Sequence, residues 1–218
     1  MIKNYKNLFL TAIILTILSA PGVARQQEFN IIDLVKIVPF VDLVQNEEIT
    51  SKNLLNLINN KSRQNNTEPS TPYIWVLKKY SKNTIIFHNE YEWWELHTYA
   101  MQENKQLLLV NTQLGNHNQS QTFSFFIYDK NTLNGFKKIK SSQFIPETIK
   151  ENEFLTKDQK FSESIEENAV LYMNEDGTIG AAPWTWMATR WENKEPQYEI
   201  KFIWDKEKNT FIKIKERI

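Results

Sequence analysis

A chain of 218 residues with 26 basic and 26 acidic side chains has no net formal charge, so it gives no electrostatic argument for nucleic acid or anionic lipid as a partner. It has no cysteine, which excludes a disulfide framework, thiol catalysis and lipid attachment to a cysteine. A chain of this size must then hold together by burial, and 13 Phe, eight Tyr and seven Trp supply the area.

The N-terminus reads as a cleavable signal. Lys3 and Lys6 precede an uncharged run, Leu8 to Ala20, and Gly22 and Ala24 stand at −3 and −1 before Arg25. The run is shorter than the roughly 20 residues of a membrane span, and Pro21-Gly22 breaks it. Residues 1–24 are therefore expected to be a signal peptide and the mature chain to be periplasmic or secreted, with no membrane span after cleavage. The mature chain retains 24 basic and 26 acidic residues, since the signal carries two lysines and no acid.

Residues 25–72 are expected to form a helical segment and a polar linker. In FNIIDLVKIVPFVDL, Ile31, Leu34, Val35 and Val38 fall at helical spacing, and Pro39 should stop the helix near Val38. Ser51 to Asn60 is a second helix, with Leu54, Leu55, Leu57 and Ile58 on its apolar side. Asn59 to Pro72 is polar and carries two prolines.

From Tyr73 the pattern changes to strands. Tyr73–Leu77, Thr84–His88, Trp93–Tyr99, Gln106–Thr112, Gln121–Tyr128 and Phe136–Lys140 alternate with short polar turns and no helices. That pattern implies antiparallel meander pairing. Residues 146–167 are rich in acids and read as an exposed connector with one helical turn, at ENEF or DQKF. A second β unit, 168–218, holds strands at Ala169–Met173, Thr178–Ala181, Tyr198–Trp204 and Phe211–Lys215. The fold class is all-β: antiparallel sheets in two related multi-stranded units, 73–145 and 168–218, packed on each other, with a short N-terminal helical segment.

Both units close on a similar hairpin. FIYDKNTLNGFKKIK matches FIWDKEKNTFIKIK, with Tyr128 against Trp204, Asp129 against Asp205 and Phe136 against Phe211. Each aspartate can bond its own backbone to start the turn, and the aromatic before it is expected to be buried. Duplication and convergent turn chemistry both fit the match.

Chemistry is harder to find. His88 and His97 lie on adjacent predicted strands and could approach each other, and His117 sits in a Gly/Asn turn. No H-E-x-x-H occurs, and neither a metal nor a cofactor is expected. No G-x-S-x-G elbow or phosphate-binding glycine loop is present.

The aromatic clusters are the most specific feature. Trp93 and Trp94 point to opposite faces of their strand, and in APWTWMATRW, Trp184, Trp186 and Arg190 share one parity. An exposed Trp beside Arg suits stacking on a sugar or anchoring a protein. The leading expectation is a non-catalytic extracytoplasmic binding protein using Trp94, Trp184, Trp186 and Arg190 on a glycan, peptide or envelope protein. The alternatives are a small carboxylate-dependent hydrolase, with Glu92, Glu95 and His97 together in a cleft, and a structural envelope component.

Overall fold

The computed structural model describes residues 30–36, 51–60, 75–114, 121–129, 131, 135–162, 169–183, 191 and 194–218. Trp184, Trp186 and Arg190 lie outside these residues, as do His117, the signal segment and Val38–Pro39. Among the described residues no helix is long and apolar enough to cross a membrane.

Two antiparallel sheets form the fold. Six strands, β1 (Val76–Tyr80), β2 (Thr84–His88), β3 (Glu92–Ala100), β4 (Lys105–Leu114), β5 (Gln121–Asp129) and β6 (Phe136–Ile139), pair strictly in chain order. The second sheet holds β7 (Ala169–Met173), β8 (Ile179–Pro183), β9 (Tyr198–Asp205) and β10 (Thr210–Arg217), again in chain order. Short polar turns favour this topology, since most strands find their partner across a loop of a few residues and only β8 and β9 are joined by a longer one, residues 184–197.

The six-stranded sheet is covered on both faces. Helices α1 (Ile31–Val35) and α2 (Ser51–Asn60) cover the first, burying Ile31, Leu34, Leu54 and Ile58 against Ile85, Phe87, Trp94, Leu96, Leu108 and Val110. Asn30 caps α1 by accepting from the Ile32 N–H at 3.1 Å, and the Ile31 N–H donates to the Lys82 carbonyl at 2.9 Å. The described helix runs to Val35, with the Lys36 N–H bonded to the Ile32 carbonyl.

The second sheet packs face to face on the opposite side. Leu107, Leu109 and Phe125 meet Ile179, Ala181, Ile200, Phe202 and Phe211 in one continuous core. This is why β2 to β5 are apolar on both parities: each face of the sheet has its own core.

The first part of the connector 146–167, residues 146–155, departs from the exposure expected for it. ENEF does form a single 3-10 turn, Glu151–Phe154, but Ile149, Glu151, Phe154 and Leu155 are buried in the second core. The acids on the turn dominate its composition. Three apolar side chains are enough to pin it, with Lys213 clamped by Glu147 at 2.7 Å and Glu153 at 3.1 Å.

The two matched hairpins have the same register. Tyr128 faces Phe136 across β5–β6, and Trp204 faces Phe211 across β9–β10, with ring centroids 5.0 and 5.1 Å apart. Asp129 accepts from the Asn131 N–H, and Asp205 from those of Glu207 and Lys208, so both aspartates start their turns as expected. Tyr128 and Trp204 are half-buried rather than buried, and they serve different cores: Tyr128 the helical one, Trp204 the inter-sheet one.

Adjacent positions on β9 offer a clean test of the inter-sheet core. Phe202 is fully buried, whereas Ile203 is 40 % exposed on the outer face. Phe202→Ala is expected to cost about 3–5 kcal/mol in urea unfolding. Ile203→Ala should stay within about 1 kcal/mol of the parent.

Candidate functional site

The polar residues of the six-stranded sheet gather on one patch of the face that looks toward the second sheet. Pairing fixes the patch. Thr84 stands opposite His97 across β2–β3, and Glu95 stands opposite Asn111 across β3–β4. All four are buried, His97 at 1 % exposure and Asn111 at 0 %. Here a face that is apolar elsewhere carries a carboxylate, an imidazole, an amide and a hydroxyl.

Their contacts form a chain. The Trp93 indole N–H donates to Glu95 Oε1 at 2.7 Å, and Asn111 Nδ2 donates to Glu95 Oε2 at 3.4 Å. His97 Nε2 lies 3.8 Å from Glu95 Oε2, and His97 Nδ1 lies 3.2 Å from Thr84 Oγ1. With the proton on Nε2 the ring aims it toward the carboxylate and Nδ1 accepts from the Thr84 hydroxyl; with the proton on Nδ1 the ring donates to Thr84 Oγ1 instead. At 3.8 Å the Nε2–Oε2 approach is too long for a hydrogen bond. His97 Nε2 and Asn111 Oδ1 are buried without a hydrogen-bond partner among the described residues.

The β7–β8 turn closes one side of the patch. Gly177 adopts φ +86°, and a β-carbon built on it would stand 3.7 Å from His97 Nδ1 and 4.0 Å from the Tyr99 hydroxyl. Tyr99 donates to the Gly177 carbonyl at 2.6 Å. Burial first, and then the charges of Asp176 and Glu95, hold the Tyr99 phenol above its ordinary range.

At the other end of the patch, Lys78, His88, Tyr91 and Trp93 are half-buried or exposed. His88 stacks on Trp93 with ring centroids 5.0 Å apart, and Lys78 places its ammonium 4.4 Å from the Trp93 ring centre. Tyr91, in the adjoining β2–β3 turn, is 51 % exposed. Trp93 itself is half-buried.

These positions rearrange the residues expected to carry function. Glu95 and His97 come together as proposed for the hydrolase alternative, but Glu92 does not join them. Residues 92 and 95 differ in parity, so Glu92 faces the helices, where its Oε2 accepts from the Trp94 indole at 3.1 Å. Trp94 is on the helical side too, 5 % exposed and stacked on Phe87, so its ring is core rather than a ligand surface. His88 and His97 sit at opposite ends of the β2–β3 pair and do not meet. Asn111 and Thr84 were not singled out by the sequence, and Trp93 was named beside Trp94 but not as a site residue. The strand period assigns Trp93 to the side of Glu95 and His97, but only the register shows that Thr84 and Asn111 face them.

Among the described residues no three His, Asp or Glu side chains converge as a metal site. Comparison with protein-family models, curated proteins and solved structures returns no match.

Two substitutions probe the patch. Glu95→Gln keeps an acceptor for the Trp93 indole and should hold stability within about 1 kcal/mol. Glu95→Ala, which leaves Asn111 Nδ2 buried without its acceptor and takes the acceptor from the half-buried Trp93 indole, should lose about 1–3 kcal/mol in urea unfolding. Tyr99 gives a pH signature. The folded chain keeps this phenol protonated beyond the pH near 10 at which the unfolded chain ionises it. Its contribution is therefore full below about pH 10 and is lost as pH rises above that. Tyr99→Phe should be less stable than the parent at neutral pH by about 1 kcal/mol. Its stability should also fall less steeply between about pH 10 and 11.5.

Proposed function

We propose that the chain is an extracytoplasmic binding protein without catalytic activity, which recognises its partner at the open end of β2–β4. The observation that carries this reading is the buried row Glu95, His97 and Asn111, with two polar atoms left unsatisfied. Each such atom costs about 1–3 kcal/mol, a substantial part of a domain's net stability. An apolar patch of the same shape would cost nothing of the kind, so retention of the row favours a ligand group or bound water that completes it.

The rim supports a glycan as the partner class, ahead of a peptide or an envelope protein. A half-buried indole with a lysine ammonium over its ring and His88 stacked on it, and with a carboxylate and an amide behind it, offers an aromatic and cationic rim and hydroxyl-matching groups. The signal-like N-terminus is consistent with such a role. Hydrolysis by paired carboxylates is less well supported, since Glu92 faces the opposite side of the sheet. A purely structural envelope component would have no use for the unsatisfied row.

The test is a titration of the mature chain, residues 25–218, with soluble oligosaccharides and extended peptides, read by tryptophan emission and calorimetry. Saccharide binding is expected, weakened at least tenfold by Glu95→Gln with the urea midpoint little changed, and by Trp93→Ala, which also lowers the midpoint by removing the donor to Glu95 Oε1. Trp184→Ala and Trp186→Ala in the same assay report whether those residues contribute. Absence of binding to every saccharide and peptide, or binding indifferent to Trp93 and Glu95, would sink the reading. Recovery of the exported chain with Arg25 at its N-terminus would support the extracytoplasmic part. Retention of residues 1–24 on a cytoplasmic chain would contradict it.

A further inference from the structure

The two sheets present four edge strands, and three of them are protected against pairing. β1 is bulged between Leu77 and Lys79 and carries two lysines. β6 has only four residues, with Lys137 and Lys138 exposed. β10 carries Lys213, Lys215, Glu216 and Arg217. Its start is covered by Phe144, whose carbonyl accepts from the Phe211 N–H and the Thr210 hydroxyl, both at 2.9 Å. Charge, shortness, a bulge and a covering loop are the usual devices that keep an edge from recruiting another strand.

β7 carries no charge and no bulge and, among the described residues, no covering segment. Its sequence, AVLYM, contains no charge and no proline, and it pairs with β8 in unbroken register over all five residues. In the turn, Asn174 donates its N–H to the Thr178 carbonyl and accepts from the Gly177 N–H. Alternation along an antiparallel ladder then points the backbone groups of Ala169, Leu171 and Met173 away from β8. Among the described residues no hydrogen bond reaches these outward groups. The side chains of the same three residues form the half-buried flank of the inter-sheet core, while Ile179, Ala181 and Ile200 on the inner strands are fully covered.

We infer that this edge pairs with the same edge of a second copy of the chain, joining two four-stranded sheets across a two-fold axis at Leu171. The strand is self-complementary about that residue. Leu171 meets its own copy, Ala169 meets Met173, and Val170 meets Tyr172, so apolar groups face apolar groups and no like charges oppose within the ladder. The pairing satisfies the outward backbone groups and continues the core flank from one copy to the next. Tyr172 is already held in place on the outer face, its ring over Gly180, where a β-carbon would lie 2.3 Å from it. A ladder of five residues per copy covers less than the roughly 1,600 Å² of a standard stable interface, so the association is weak, on the order of 10–100 µM.

Sedimentation velocity of the mature chain across that range tests the inference. A concentration-dependent dimer is expected, and Val170→Lys, which sets a charge on the edge, should abolish it while leaving the urea midpoint close to the parent. Leu171→Cys gives a second readout that does not depend on that variant folding well, because the chain has no cysteine of its own. Facing residues of a hydrogen-bonded pair stand about 5.5 Å apart at Cα, within reach of a disulfide. Oxidation should cross-link Leu171→Cys readily and the outer-face control Ile203→Cys poorly. A chain that remains monomeric at several hundred micromolar overturns the inference and leaves the edge to a strand from a different protein. So does a dimer insensitive to Val170→Lys, or cross-linking through residue 203 but not 171.

Discussion

A sheet covered on both faces has no side on which to leave a polar group in water. The six-stranded sheet is in that position: α1 and α2 close one face, and the second sheet and segment 144–155 close the other. Burying a Leu or Phe there contributes about 1.5–3 kcal/mol, and β2 to β5 collect that contribution on both parities. The same arrangement penalises any polar side chain placed on those strands. Thr84, Glu95, His97 and Asn111 are buried with mostly one another as partners, and where the partners run out, at His97 Nε2 and Asn111 Oδ1, the deficit stays in the interior.

The tetrad Glu92-Trp93-Trp94-Glu95 shows how the strand meets this constraint locally. Side chains two apart share a face, so each face receives one indole and one carboxylate. Trp94 donates to Glu92 beneath the helices, and Trp93 donates to Glu95 beneath the second sheet. Neither indole N–H needs a cross-strand acceptor. The carboxylates are not equivalent, however. Glu92 lies at the strand's end, whereas Glu95 is drawn inward beside His97 and Asn111, where its charge meets an amide and an imidazole instead of solvent.

Much of the fold was legible because turns and strands in this chain are punctuated so plainly. The polar turns placed ten strands to within a few residues, and the Asp-started hairpins at 129 and 205 matched Tyr128 with Trp204 and Phe136 with Phe211, whose facing across each hairpin is a finding of the structure. Three features were not legible. Segment 146–167 is charged enough to read as exposed, and burial of Ile149, Phe154 and Leu155 depends on a groove that only the assembled sheets create. The inward indole could not be chosen between Trp93 and Trp94, because both faces of β3 are covered. The partners of Glu95 come from β4 and those of His97 from β2, so their identity needed the register. By contrast, the separation of Glu92 from Glu95 was available from the strand period alone.

Both sheets are meanders in strict chain order, and this has a consequence for how the molecule comes together. Within each sheet every strand pairs with its sequence neighbour, so all ladders but β8–β9 close a short loop and the conformational search stays largely local. Long-range closure is deferred to one event, the docking of β7–β10 onto a sheet whose strands have already emerged. Until Phe202 and Phe211 arrive, Leu107, Leu109 and Phe125 face water. A nascent or truncated chain lacking its last 50 or so residues would therefore present a wide apolar surface, and the interval before the C-terminal hairpin docks is when such a chain most needs protection from its neighbours.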